Sequence, residues 1–178
     1  KEKEYTLYIL DEIKIEETEQ IFEFYELYKK RTEPLEKKPE IKIYINSNGG
    51  SSSACFAIVD VIEQLCEITK VTGIATGACG SSAFAIWLST NNRIIRPRTT
   101  FCFHDVQSWW YGGSTEDYAR LVDYLKIHRE YYIEIVLKNT ILKREVLDKV
   151  IESSKDWFIT PDEMEGYLRK TKHELLGN

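Results

Sequence analysis

The chain has no apolar stretch that could cross a bilayer. Its longest strictly apolar run, Ala83–Leu88, holds six residues, against the ~20 that a spanning helix needs. No charged-then-apolar signal segment opens it. It begins on Lys1 rather than methionine, which leaves room for a segment upstream. Basic charge is scarce: 24 Lys and Arg against 29 Asp and Glu give a formal net charge of −5, without the basic footprint of a nucleic-acid binder. Cysteine is sparse too. Cys55, Cys66, Cys79 and Cys102 stand inside apolar stretches with no C-x-x-C pair, so a structural zinc site lacks its closely spaced ligands. The four read as small buried hydrophobes of a reducing compartment, and neither metal nor cofactor is expected. No repeat, low-complexity tract or Gly/Ser/Pro-rich linker divides the 178 residues, a length of about one domain. Residues 1–178 therefore read as a single domain.

What is present is a core. With 43% hydrophobic residues the chain can pack an interior, which excludes intrinsic disorder. Residues 1–40 hold 12 acids and 8 bases, whereas residues 41–110 hold 4 acids and 5 bases, so the middle of the chain is the expected core. Strands are predicted at Tyr5–Leu10, Ile41–Ile45, Val71–Ala75, Ile94–Ile95 and Thr100–Phe103. Helices are predicted at Glu17–Arg31, with Ile21, Tyr25 and Tyr28 at the spacing of a buried face, at Ser51–Glu67 with Ser51-Ser-Ser53 as its cap, and in a buried segment entered through Gly77–Leu88. Ser114–Asn139 is the longest helical pattern, opened by a Ser114/Asp117 capping box and striped by Tyr118, Leu121, Val122, Leu125, Tyr132, Ile135 and Val136. At ~1.5 Å per residue it would span about 39 Å, long enough for part of its face to dock on another subunit. Shorter helices near Lys143–Glu152 and from Pro161 complete an α/β pattern with crossover connections.

Two Gly-bearing turns join strands to helices: Asn48-Gly-Gly50 and Gly77-Ala-Cys-Gly-Ser81-Ser82. Such turns present free N–H groups and the positive end of a helix dipole. Neither matches a phosphate loop; stabilising an oxyanion in acyl transfer is the other use, and a tight packing turn is the plain alternative. A serine hydroxyl becomes a nucleophile when a base, usually a histidine oriented by a carboxylate, takes its proton. Ser81 supplies the hydroxyl. His104, at the tip of Phe101–Phe103 and followed by Asp105, is a candidate base, and Asp156, beside the apolar Trp157–Ile159, is a candidate orienter. Ser82 is a rival nucleophile. His128 and His173 read as surface or partly packed residues, and Trp109-Trp110-Tyr111 as packing or as the border of a substrate groove.

These segments together resemble the proteolytic-subunit family of the Clp protease, serine peptidases of the Clp/crotonase superfold. Tyr44-Ile-Asn-Ser-Asn-Gly-Gly50 is similar to the family's Y-I-N-S-P-G-G turn, and Gly77-Ala-Cys-Gly-Ser81 to its G-x-A-A-S turn. Pro97 and Phe103-His104 match its proline and its histidine strand, and Asp156-Trp-Phe-Ile-Thr160 is similar to its D-x-x-[ML]-[ST] segment. The matches fall in family order over roughly residues 5–168. The resemblance implies a spiral of ββα units with a protruding handle helix at about 105–140. By position it makes Ser81 the nucleophile, His104 the general base and acid, and Asp156 the orienting group, with the N–H groups of Gly50 and Ser82 as the oxyanion hole. The segment through Gly112-Gly113 would lie along the substrate as an added strand. It further implies self-association into stacked rings of two heptamers, an AAA+ ATPase unfoldase partner, unfolded protein or peptide substrates, and a cytoplasmic setting (an organelle stroma or matrix and a viral host cytoplasm being the variants). Neither nucleic acid nor membrane is among the expected partners.

Departures define the alternatives. Asn48 and Val106 stand where the family usually has proline, and Cys79 and Gly80 replace paired alanines. Gly73-Ile-Ala-Thr-Gly77 offers a rival register that puts glycine at the nucleophile position and makes the chain an inactive ring subunit. From Ser81, however, Pro97 and His104 arrive in step. A crotonase-type acyl-CoA enzyme would share the oxyanion hole but rely on carboxylates near it.

Overall fold

The computed structural model describes residues 5–108 and 112–169; Trp109, Trp110, Tyr111 and His173 lie outside them. β-Branched runs give the strands and 3.6-residue periodicity the helices. In chain order the elements are β1 (Tyr5–Ile13), α1 (Ile15–Thr32), β2 (Ile41–Gly50), α2 (Ser52–Ile68), β3 (Val71–Gly80), α3 (Ser82–Leu88), β4 (Asn92–Ile95), β5 (Thr100–Phe103), α4 (Thr115–Asn139), α5 (Arg144–Ser153), β6 (Trp157–Ile159) and α6 (Pro161–Tyr167). One sheet runs β1-β2-β3-β5-β6, with β4 also paired to β3. Every pairing is parallel except β5–β6, as crossover helices require.

The long β3 explains how six strands form one spiral. Its first half, Thr72–Ala75, pairs with β4, and its second half, Ala78–Gly80, pairs with β5. The break falls at Gly77, whose φ of +64° is a conformation that glycine adopts without Cβ strain. There Asn46 Oδ1 accepts the Ala78 N–H at 2.9 Å, so a side chain of β2 replaces a missing ladder bond. The expected turn at Gly77–Gly80 is thus strand, because β5 pairs with it, and the turn shrinks to Ser81. The strand expected to stop at Ile45 likewise continues to Gly50.

The core lies where charge is scarce. Every residue of α3 is buried, and its Phe84 and Trp87 pack on Phe101 with ring centroids 5.8 and 4.8 Å apart. Trp87 donates its indole N–H to Gly73 O at 3.1 Å, so its one polar atom is satisfied inside the apolar interior. On α1, Ile21 and Tyr28 are buried and Tyr25 packs beside them. The Ser114/Asp117 capping box opens α4, and Ser51 caps α2 by accepting the Ala54 N–H.

α4 divides into two halves. Its buried residues begin only at His128 and continue through Tyr132, Ile133, Ile135 and Val136. Before that, Tyr118 and Val122 of the expected apolar stripe are exposed, as are Tyr124 and Ile127 outside it, although a stripe in this position should be buried. No helix among the described residues is long and apolar enough to cross a membrane.

Candidate active site

Ser81 occupies the sharp joint between β3 and α3. Its backbone sits at φ 51°, ψ −124°, a left-handed conformation that costs a non-glycine residue of order 1–3 kcal/mol. Three contacts hold it there. Its N–H donates to Cys102 O of β5 at 2.8 Å, and its carbonyl accepts from Phe84 and Ala85 as α3 begins. Gly49 presses against it from β2: a Cβ placed on Gly49 would stand 2.6 Å from Ser81 Cβ and 2.9 Å from Gly80 O. Its hydroxyl does not cap α3.

The cleft beside it has a volume of about 1010 Å³ and is lined by Gly49, Gly50, Ser81, Ser82, His104 and Asp105, among others. The residues picked from sequence for the hydroxyl, the base and the two oxyanion donors therefore face one space. Ser82 is 6% exposed, and its hydroxyl donates to Gly50 O at 3.0 Å. It ties together the two segments whose N–H groups flank Ser81, and its own oxygen is engaged. A Cβ on Gly50 would fall 2.2 Å from Ile13 O, so only glycine lets β2 close on β1 there.

Asp156 sits just before β6. β5 and β6 are antiparallel and pair Cys102 with Phe158 and Phe103 with Trp157, so His104 and Asp156 flank the last pair of this ladder. Cross-strand partners share a sheet face, so Cys102 and Phe158 lie on one side. Phe101, Phe103 and Ile159, on the other, are buried. The Cys102 thiol reports the neighbourhood: burial, then the Asp156 charge, push it up to about 11. Asp156 itself is exposed and does not line the cleft.

Among the described residues no hydrogen bond joins Ser81 to His104 or His104 to Asp156. His104 Nδ1 instead lies 2.6 Å from Asp105 O. A carbonyl can only accept, so Nδ1 carries the proton of this bond. The Asp105 carboxylate accepts the Val106 N–H at 2.8 Å and two N–H groups of Arg129 on α4, at 2.7 and 2.6 Å. This bidentate pair holds the Arg129 guanidinium above its ordinary range.

Sequence reasoning missed two contacts of α4. Arg129 reaching Asp105 is one. The other is His128 Nδ1, 2.7 Å from Ser52 Oγ, with the ring tilted against Tyr124 at 3.9 Å and edge-on to Phe56 at 5.1 Å. The only signal was an i, i+1 His-Arg pair in a helix, and such pairs are common. At 8% exposure, burial lowers the His128 pKa below 6.5. The unfolded chain then takes up a proton near pH 6.5 that the folded chain refuses, so stability falls as pH drops through that value. Unfolding temperatures at pH 7.5 and 5.5 are expected to differ less in His128→Leu than in the parent; an unchanged difference would show that other groups dominate this window.

Comparison with known proteins fits this geometry. The family model described as Clp protease matches residues 3–167. The ATP-dependent Clp protease proteolytic subunit 2 of Thermobifida fusca is 26% identical over 130 residues, covering 73% of this chain and 63% of that protein. Its counterpart in Borreliella burgdorferi is 29% identical over 126 residues, covering 70% and 59%. The matched region thus spans about three-fifths of each relative's length. A ClpP1 mutant from Listeria monocytogenes superposes with a TM-score of 0.77 at 21% identity, covering 96% of this chain and 94% of that one, which establishes the fold as the Clp/crotonase type. With the match running from before β1 to the end of α6, the chain belongs to the Clp protease family.

Proposed function

We propose that the chain is a serine endopeptidase, the proteolytic subunit of a self-compartmentalised Clp-type protease. Ser81 attacks the scissile carbonyl, His104 Nε2 takes its proton and returns it to the leaving amine, and the Asp156 charge stabilises the imidazolium. The N–H groups of Gly50 and Ser82 hold the oxyanion. The observation that carries this reading is the strained Ser81 joint, a residue that lines one cleft with His104, Gly50 and Ser82. A backbone outlier at a strand-to-helix turn is costly, and such strain clusters where a nucleophile must be presented.

The exposed apolar residues in the first half of α4, Tyr118 and Val122, support self-association into stacked rings, in which the handle helices of facing rings cover that stripe. An AAA+ ATPase would deliver unfolded chains to the enclosed sites. The purified chain is expected to run in solution as a ring-sized assembly and to hydrolyse fluorogenic peptides. A monomer that cleaves nothing would sink this reading. A second reading has one observation in its favour: among the described residues no hydrogen bond joins Ser81 to His104 or His104 to Asp156, so the triad is open, as in an inactive ring subunit. That reading requires a catalytically complete paralogue to co-purify while the isolated chain stays inert.

A further inference from the structure

His104 is the base on which the proposed activity rests, and its ring is held by neither Ser81 nor Asp156. It is held by the peptide unit that follows it. Asp105 O accepts the Nδ1 proton at 2.6 Å, and that peptide unit is fixed in turn by the Asp105 carboxylate, which accepts from the Val106 N–H and from Nε and Nη2 of Arg129. The pair is about two-thirds or more shielded, with side-chain exposures of 33% and 25%, and bidentate arginine–carboxylate pairs fix geometry as well as charge. Arg129 belongs to the part of α4 that has reached the core: Tyr132, three residues on, stacks on Phe103 at 5.1 Å, and Phe103 is the residue before His104. The base is thus gripped from both sides by one helix.

We propose that Arg129 and Asp105 are positioning residues for His104. The Arg129 fork fixes Asp105, the Asp105 carbonyl fixes the Nδ1–H tautomer, and Nε2 is left free to accept the Ser81 proton. A neutral imidazole has one protonated nitrogen, so the nitrogen that is anchored decides which one acts as base. This role goes beyond the triad: a carbonyl on a helix-braced loop sets the tautomer before substrate arrives, and Asp156 answers the charge that develops afterwards. It also makes the register of α4 an input to the site. The neighbouring His128 contacts Ser52, two residues after Gly50, at 2.7 Å.

The test combines nitrogen NMR of the histidine-labelled full chain with the rate at which a fluorophosphonate modifies Ser81 across pH, in the parent and in Arg129→Gln, Arg129→Lys and Asp105→Asn. The parent His104 is expected to show protonated Nδ1 and bare Nε2. In Arg129→Gln the two tautomers should mix, and labelling should slow by roughly 10- to 100-fold, the cost of a misplaced reacting group, with the unfolding temperature nearly unchanged. Arg129→Lys, which keeps the charge and loses the fork, should recover only part of the rate. Combining Arg129→Gln with Asp105→Asn should cost little more than either alone. An Nε2–H tautomer in the parent, or an Arg129→Gln protein with the parent's tautomer and labelling rate, would overturn the assignment. If Ser81 is never labelled but the tautomer still depends on Arg129, the brace stands and the peptidase reading falls.

Discussion

Replacing Ser81 with alanine is expected to abolish peptide cleavage while leaving fold and assembly intact. When the nucleophile of a Ser-His-Asp unit is removed, turnover falls on the order of a millionfold, because the three groups act as one. The structure separates that loss from misfolding. The Ser81 side chain caps nothing, so no hydrogen bond of the fold is lost, and its N–H bond to Cys102 O is main chain and survives. Alanine accepts a φ of 51° no more readily and no less readily than serine. Unfolding temperature and solution mass should therefore match the parent. Cleavage retained by Ser81→Ala would move the nucleophile to Ser82, whose hydroxyl would first have to leave Gly50 O.

A larger structural effect is expected from Gly49→Ala. Three neighbours crowd the new Cβ: Ser81 Cβ at 2.6 Å, Gly80 O at 2.9 Å and Ser82 N at 3.0 Å. Two of these are backbone atoms, so no side chain can swing aside. The residue also sits at φ +111°, where an L side chain is strained whatever the space. Strain of this kind costs about 1–3 kcal/mol, and relief requires β2 to move off the β3–α3 joint. In the proposed mechanism that movement takes the Gly50 N–H away from the oxyanion it would bind. Misplacement of about 1 Å costs roughly 100-fold in rate, so Gly49→Ala should be both less stable and nearly inert, with Ser81 still present. Thermal unfolding together with hydrolysis rate checks it; a variant with the parent's stability and turnover would mean that β2 does not shape the site.

The two glycine effects differ in kind from anything periodicity can show. The helices and strands were legible because Ile, Val, Phe and Tyr recur at spacings of 3.6 or 2, and the low charge of residues 41–110 located the interior. The ends of β2 and β3 were not, since Asn48-Gly49-Gly50 and Gly77–Gly80 carry turn residues yet extend as strand, through pairing with β1 and β5. Ser81, His104, Gly50 and Ser82 were legible as chemistry; that they line one cleft depends on strands brought together from distant parts of the chain. Asp105 and Arg129 were invisible as a pair, 24 residues apart on different elements. Asp156 was found by its motif; in the fold it and His104 adjoin the paired ends of β6 and β5.

The central claim is that Ser81 is the activated hydroxyl. Treating the full chain with a fluorophosphonate, digesting it and mapping the adduct by mass tests this most directly. One modification per chain is expected, on the Ser81 peptide, and lost when His104 is changed to alanine. An adduct on Ser82 or Ser52, or no adduct on a ring-sized assembly, would contradict it.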